Sequence, residues 1–333
     1  MSELPPELLP LLRRAGLLAP GEALHATALA GGVASDIWRL DLAGGAICVK
    51  RALPKLKVEA EWRAPVERNA YEVAWLQLAG RIAPGAVPKV LAHDSAAGLF
   101  VMEFLDPALY PVWKSELREG RVDLAAAREV GARLARIHAG TAGDAAVAES
   151  FRSDEIFYAI RLEPYLEAAA RAHRTLADPL RRLLCVTAAT RRALVHGDVS
   201  PKNILLGPRG PIFLDAECAW YGDPAFDLAF CLNHLLLKCL LTPPATTAFL
   251  RAFEVLVDAY LAGVSWESPP ELEARAAHLL PGLFLARVDG KSPVEYLVDE
   301  RDKAKVRRVA GRFLRTPVET LREIARIWAT EAA

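Results

Sequence analysis

Four oxygen-bearing side chains, Asp198, Asn203, Asp215 and Glu217, fall close together in the stretch Leu194–Asp227. A carboxylate can orient a substrate hydroxyl and accept its proton. An Asn carbonyl and further carboxylates are hard oxygen ligands, which suit Mg2+ better than a softer metal. Each of these residues, taken alone, is an ordinary turn former. Together and in this order they point to a metal-and-hydroxyl site.

The local pattern explains how such a site would be held. Ala193-Leu194-Val195 is an apolar run expected to form a short buried strand, and His196-Gly197-Asp198 interrupts it. Ile204-Leu205-Leu206 and Ile212-Phe213-Leu214 read as two more strands, joined by the turn Gly207-Pro208-Arg209-Gly210-Pro211. That hairpin delivers Asn203 at its start and Asp215 and Glu217 at its end.

Asp198 and Asn203 stand at the same offset as the Asp and Asn of a protein-kinase catalytic loop, and Asp215 stands where the metal-binding Asp follows. His-Gly-Asp replaces His-Arg-Asp, and Asp-Ala-Glu replaces Asp-Phe-Gly. HGDVSPKNILL followed by FLDAECAWYGDPAFDLA resembles the aminoglycoside phosphotransferase and choline kinase superfamily, and AWYGDPAFD is similar to the 5-methylthioribose kinases. The resemblance implies an α+β, two-lobed, protein-kinase-like fold that phosphorylates a small-molecule hydroxyl with ATP and Mg2+. It implies that Asp198 is catalytic and positions the acceptor, that Asn203, Asp215 and Glu217 hold the metal, and that Asp227 braces the catalytic loop. His196 is expected to hold that loop by a hydrogen bond. Asp223, just before Pro224, reads as a helix cap.

Upstream, Ala28–Asp36, Ile37–Leu40 and Ile47–Lys50 read as strand, turn and strands, with Gly31-Gly32 in the first turn. Before a strand ending in Val49-Lys50, that glycine pair is expected to cover a nucleotide. Ser35 would then meet phosphates and Lys50 would neutralise their charge. The run VKRALPKLK…EW…ERNAYE is again similar to 5-methylthioribose kinases. A helix from about Val66 to Gly80 offers Glu72 as partner for the lysine, with Glu67 as rival. Val87–His93 and Leu99–Phe104 complete a five-stranded antiparallel lobe, and Met102, Glu103 and Phe104 form the expected adenine hinge.

Residues 1–104 are thus assigned to an ATP-binding lobe, with a leading helix in 1–20, and 105–333 to a helical catalytic and substrate-binding lobe. Helices are expected at 124–138, 153–170, 176–192, 224–240, 244–262, 271–286, 293–300 and 303–331. Pro243-Pro244, Pro269-Pro270, Pro281-Gly282 and Pro317 are read as separators. His138, His173, His234 and His278 read as core or surface residues. The basic cluster containing Arg307 and Arg308 is either a solvated helix face or a substrate contact, the latter because VRRVAG is similar to a segment of 5-methylthioribose kinases.

Composition bounds the alternatives. The chain of 333 residues is 53% hydrophobic and 25% charged with zero formal net charge, so no global field favours nucleic acid or an anionic membrane. The first residues lack a basic start and an unbroken apolar core, and five cysteines show no C-x-x-C pairing. A cytoplasmic setting is expected, with a homodimer left open. The acceptor is expected to be a small-molecule hydroxyl. A sugar or nucleoside-derived one such as 5-methylthioribose is favoured; an aminoglycoside or choline-like amino alcohol is the alternative, and a nucleotide-binding pseudokinase the reading from another class.

Overall fold

The computed structural model describes residues 4–29, 35–53 and 65–332. Strands β1 (His25–Ala28), β2 (Ser35–Leu42), β3 (Gly45–Ala52), β4 (Val90–Asp94) and β5 (Leu99–Glu103) form one antiparallel sheet in the order β1-β2-β3-β5-β4. Alternation sets its faces. Trp38, Leu40, Ile47, Val49, Leu99 and Val101 enter a small core, closed from outside by Leu8, Leu11 and Leu12 of helix α1 (Leu8–Arg14). Because Val49 points into that core, Lys50 points to the other face, where helix α2 (Arg68–Ile82) lies. The five-stranded lobe with its leading helix is as expected. Gly31 and Gly32 fall outside the described residues, as does most of the 51–65 insertion.

Beyond β5 the chain is mostly helical. First come α3 (Trp113–Arg118), α4 (Leu124–Ala139), α5 (Ala145–Ser150) and α6 (Asp154–Phe157). A wide π-helix, Tyr158–Glu167, continues α6 into α7 (Ala168–Ala172), followed by α8 (Ala177–Ala189). The catalytic-loop region is framed by β6 (Ala193–Val195) paired with β9 (Trp220–Gly222), and by the hairpin β7 (Ile204–Gly207) and β8 (Gly210–Phe213). Helices α9 (Ala225–Leu241), α10 (Thr246–Ala262), α11 (Pro269–Asp289), α12 (Glu300–Arg315) and α13 (Leu321–Ala332) form the mass behind it.

Packing explains the main departures from the sequence pattern. Pro281 does not end a helix: it sits inside α11, where Leu279, Leu280, Leu283 and Phe284 are all buried. Proline removes one intrahelical hydrogen bond, and burial on this scale carries the helix past it. No helix forms at 293–300; that segment runs as turns until the Asp299 side chain accepts from the Arg301 N–H at 2.8 Å and starts α12. Gly131 lets α4 approach α10 closely, since a Cβ there would stand 2.4 Å from the Leu256 carbonyl oxygen. Helix α9 is buried nearly all round by its neighbours, and among the described residues no helix is long and apolar enough to cross a membrane.

The packing of α1 generates a direct test. Leu12 is fully buried against the sheet, so Leu12→Ala should lower stability by about 2–5 kcal/mol in chemical denaturation. A loss well below 1 kcal/mol would show that α1 is not integral to the small lobe.

Candidate active site

Asp227, in the first turn of α9, is the fixed point of the site. Its carboxylate is fully buried and accepts the backbone N–H of His196 at 2.7 Å and of Gly197 at 2.8 Å. It also bonds His138 Nε2 at 3.2 Å, while His138 Nδ1 lies 2.8 Å from the Tyr260 hydroxyl. A carboxylate only accepts, so His138 carries its proton on Nε2 and accepts the tyrosine O–H at Nδ1. Asp227 therefore meets two backbone donors of this loop. His138, expected only to be satisfied, lies directly behind it.

The loop that Asp227 holds turns sharply. Gly197 has φ +79°, and a Cβ there would stand 2.6 Å from the Cys218 carbonyl oxygen, so both conformation and space call for glycine. His196 is buried, its Nδ1 accepting the Asp198 N–H at 3.1 Å and its Nε2 donating to the Leu214 carbonyl at 3.1 Å. Burial lowers the ring's pKa, in keeping with this neutral tautomer. The ring also packs edge-on against Trp75 of α2, centroids 4.7 Å apart.

Asp198 points into a cleft of about 640 Å³ that also contains Ser35, Lys50, Glu72, Met102, Asn203, Asp215 and Glu217. The structure thus brings the sequence-selected residues of both lobes to one place. Asp198 pairs with Arg161 at 2.8 Å and Lys202 at 3.1 Å. Burial alone would raise its carboxyl; Arg161, then Lys202, more than offset this and hold it at about 2. Asn203 Nδ2 donates to the Asp198 carbonyl at 3.1 Å, which leaves Oδ1 as its free acceptor. Asp215 adopts φ +68°, a left-handed conformation uncommon outside glycine, and its Oδ1 reaches Lys50 Nζ at 2.5 Å.

Lys50 also bonds both carboxylate oxygens of buried Glu72 at 2.8 Å. This resolves the choice left open by the sequence, because Glu67 is exposed just before α2. Burial opposes the ammonium charge, yet Asp215 and Glu72 together keep Lys50 protonated well above its ordinary pKa. Glu217 does not face the cleft alone: Arg68 of α2 holds its Oε2 at 2.9 Å. Glu103 accepts the Lys89 N–H on its side chain, and the Phe104 ring lies under the Arg39 guanidinium.

Arg307 pairs with Asp289 and Glu300, and Arg308 with Glu331, and neither lines the cleft. Both are engaged in these ion pairs, as on a solvated helix face. The arginine that the sequence did not single out is Arg161. It projects from the π-helix, is nearly buried, and donates through Nε to the Gly197 carbonyl at 2.5 Å while pairing with Asp198. Its only sequence signal is that it is the one cation of the run Tyr158–Glu167.

The fold is of the two-lobed, kinase-like class. A sequence model of the phosphotransferase enzyme family (APH) matches residues 25–263, and the chain belongs to that family. Curated relatives include methylthioribose kinases of Pectobacterium atrosepticum, 27% identical over 58% of this chain and 54% of that protein, and of Yersinia pseudotuberculosis, 26% identical over 58% and 53%. The chain therefore spans about half the length of the curated relatives it matches. Among solved structures, it is similar to a choline/ethanolamine kinase family protein from Mesorhizobium loti (18% identity, 97% of each chain, TM-score 0.53). It is also similar to an amicoumacin kinase in complex with AMP-PNP and Ca2+ (14% identity, 97% of each chain, TM-score 0.58). These likenesses show the fold.

Two tests follow from the loop geometry. Asp227→Ala should cost about 1–3 kcal/mol through unsatisfied donors, and Asn should recover part, since one oxygen remains; wild-type melting of the alanine variant would remove Asp227 from this role. A carboxyl with a lowered folded-state pKa contributes stability that is present above its unfolded value and lost as pH falls through its folded value. For Asp198 the window runs from about pH 4 down to about pH 2 and the contribution is about 2 kcal/mol. The stability gap between wild type and Asp198→Asn, followed by denaturation from pH 5 to 2, should narrow by that amount; a flat gap would contradict the pairing with Arg161.

Proposed function

We propose that this protein is an ATP-dependent kinase that transfers the γ-phosphoryl group to a hydroxyl of a small, sugar-type acceptor. The observation that carries the reading is the convergence of Asp198, Asn203, Asp215 and the Lys50–Glu72 pair on one cleft. A pseudokinase has no need of Asp198 held ionised beside an open cleft.

The residues fit a nucleotide with Mg2+. Among the described residues, no group of three or more His, Cys, Asp or Glu converges as a metal cage. Mg2+ needs none, since it keeps waters and takes oxygens from the phosphates, so two protein ligands suffice. Asp215 and the free Oδ1 of Asn203 would supply them, with Glu217 as a nearby charge held by Arg68. The metal, when bound, offsets phosphate charge.

Lys50 would neutralise phosphate oxygens, held in place by Glu72. Ser35 and Met102 line the cleft, and the backbone of the Met102–Phe104 hinge would serve the adenine edge. Asp198 would orient the acceptor hydroxyl and take its proton, its own charge maintained by Arg161 and Lys202. Such transfer is mainly positioning and electrostatics, so loss of one group costs orders of magnitude in rate. The methylthioribose kinase relatives supply the sugar side of the reading, and the cleft must hold nucleotide and acceptor together, which favours a small acceptor.

Asp198→Asn should reduce transfer by at least about a hundredfold, ~2.7 kcal/mol in barrier, while titration calorimetry shows MgATP binding nearly unchanged. Asp215→Ala should weaken ATP binding in Mg2+ and should not weaken it without the metal, because the same change frees Lys50. Transfer by the Asn variant near the wild-type rate, or unchanged metal dependence in the Ala variant, would overturn the respective assignment.

A further inference from the structure

Helix α9 presents Phe230, His234 and Lys238 at i, i+4 and i+8, one above another on the face that lines the cleft. Lys238 is 1% exposed, and its Nζ has no hydrogen-bond partner. What it touches is the face of the Tyr296 ring, 4.0 Å from the centroid. Across the cleft, Arg287 of α11 spends Nη1 on the Tyr165 hydroxyl at 3.1 Å and on Ser292, and its buried Nε is unpartnered. Two cations thus line one end of the cleft with donors to spare.

The surrounding charges leave those donors without an internal acceptor. Five cations line this end: Lys114, Arg161, Lys202, Lys238 and Arg287. The carboxylates beside them are Asp198, taken by Arg161 and Lys202, and Glu295, taken by Lys114. Burial, and then the nearby Lys114, push Lys238 down to about 8, so the ammonium persists at neutral pH against a standing cost. Burying an unpaired charge is expensive, and a charge kept in that position asks for a counter-ion. A cationic amine acceptor would meet only like charges.

We infer that the acceptor carries, besides its reacting hydroxyl, an anionic group, a carboxylate or a phosphoryl group, that docks between Lys238 and Arg287. This rests on the kinase reading and narrows it, from a sugar-type hydroxyl to one on an acidic molecule such as a sugar acid or sugar phosphate. Lys202 links the two ends: it pairs with Asp198, and its charge also reaches His234. The docked anion would therefore sit beyond His234 with the hydroxyl at Asp198.

Two measurements test it. ATP consumption is followed with ribose, ribonate and ribose 5-phosphate, with choline as cationic control. One of the acids should exceed ribose in kcat/KM by about tenfold or more, ~1.4 kcal/mol, and which acid does so distinguishes carboxylate from phosphoryl. Preference for ribose or choline would overturn the inference and leave the kinase reading standing. The second measurement needs no turnover: calorimetric titration with malonate and with inorganic phosphate at constant ionic strength. Wild type should bind one of them saturably, Lys238→Met and Arg287→Met about tenfold more weakly, and all three should bind MgATP alike. No anion binding, or a loss of MgATP affinity in Lys238→Met, would overturn the inference. Anion binding without turnover of any acceptor would count against the kinase reading alone. Lys238→Met should also melt higher than wild type; lower melting with unaltered anion binding would make the lysine a packing element and overturn the inference.

Discussion

The site depends on one buried carboxylate. Asp227 takes two consecutive backbone N–H groups that the turn at His196-Gly197 would otherwise leave without partners, and it is itself held from behind by His138 and Tyr260. A turn so tight has no ladder to satisfy its amides. Because Asp227 belongs to the first turn of α9, the direction of the loop is tied to the most deeply buried helix of the molecule. The aim of Asp198 is therefore set by the core and not by the loop.

Much of this was legible in the sequence because it is local. The offset from Asp198 to Asn203, the short apolar runs around them, and Asp215 at a strand end are all short-range patterns. Two hairpin strands that can form in few ways bring them together. Lys50 was also legible at its strand end, while Glu72 was one of two candidate partners, and its contact through both carboxylate oxygens singles it out. What the sequence did not show are relations between distant elements. Arg161 reaches Gly197 and Asp198 only because the π-helix packs beside the loop, and no spacing announces that. Arg307 and Arg308 have the same chemistry and point elsewhere. Arg307 lies near Asp289, and the local pair is satisfied before any substrate arrives. Arg287, Ser292 and Pro293, at the end of α11 and just after it, line the cleft.

The cleft is polarised along its length. One end holds Lys50 among Glu72, Asp215 and Glu217, a balance that leans negative until a cation joins it. The other end leans positive, with Asp198 placed at the junction. Charges of opposite sense on either side of a reacting hydroxyl orient a small polar molecule before any shape complementarity acts. Orientation of this kind comes from charge on elements that the core holds rigid, chiefly α9 and α11.

The contact between Lys50 and Asp215 gives nucleotide binding the character of an exchange. Both groups already satisfy each other at 2.5 Å across the two lobes. A metal that takes Asp215 must first displace an ammonium, and phosphates that take Lys50 must displace a carboxylate. Either exchange taken singly costs one member its partner: Asp215, which is half-buried, or Lys50, which keeps Glu72. Under the proposed function, metal and phosphate arriving together would exchange one ion pair for two, so the arrangement would favour the complex over either component by itself.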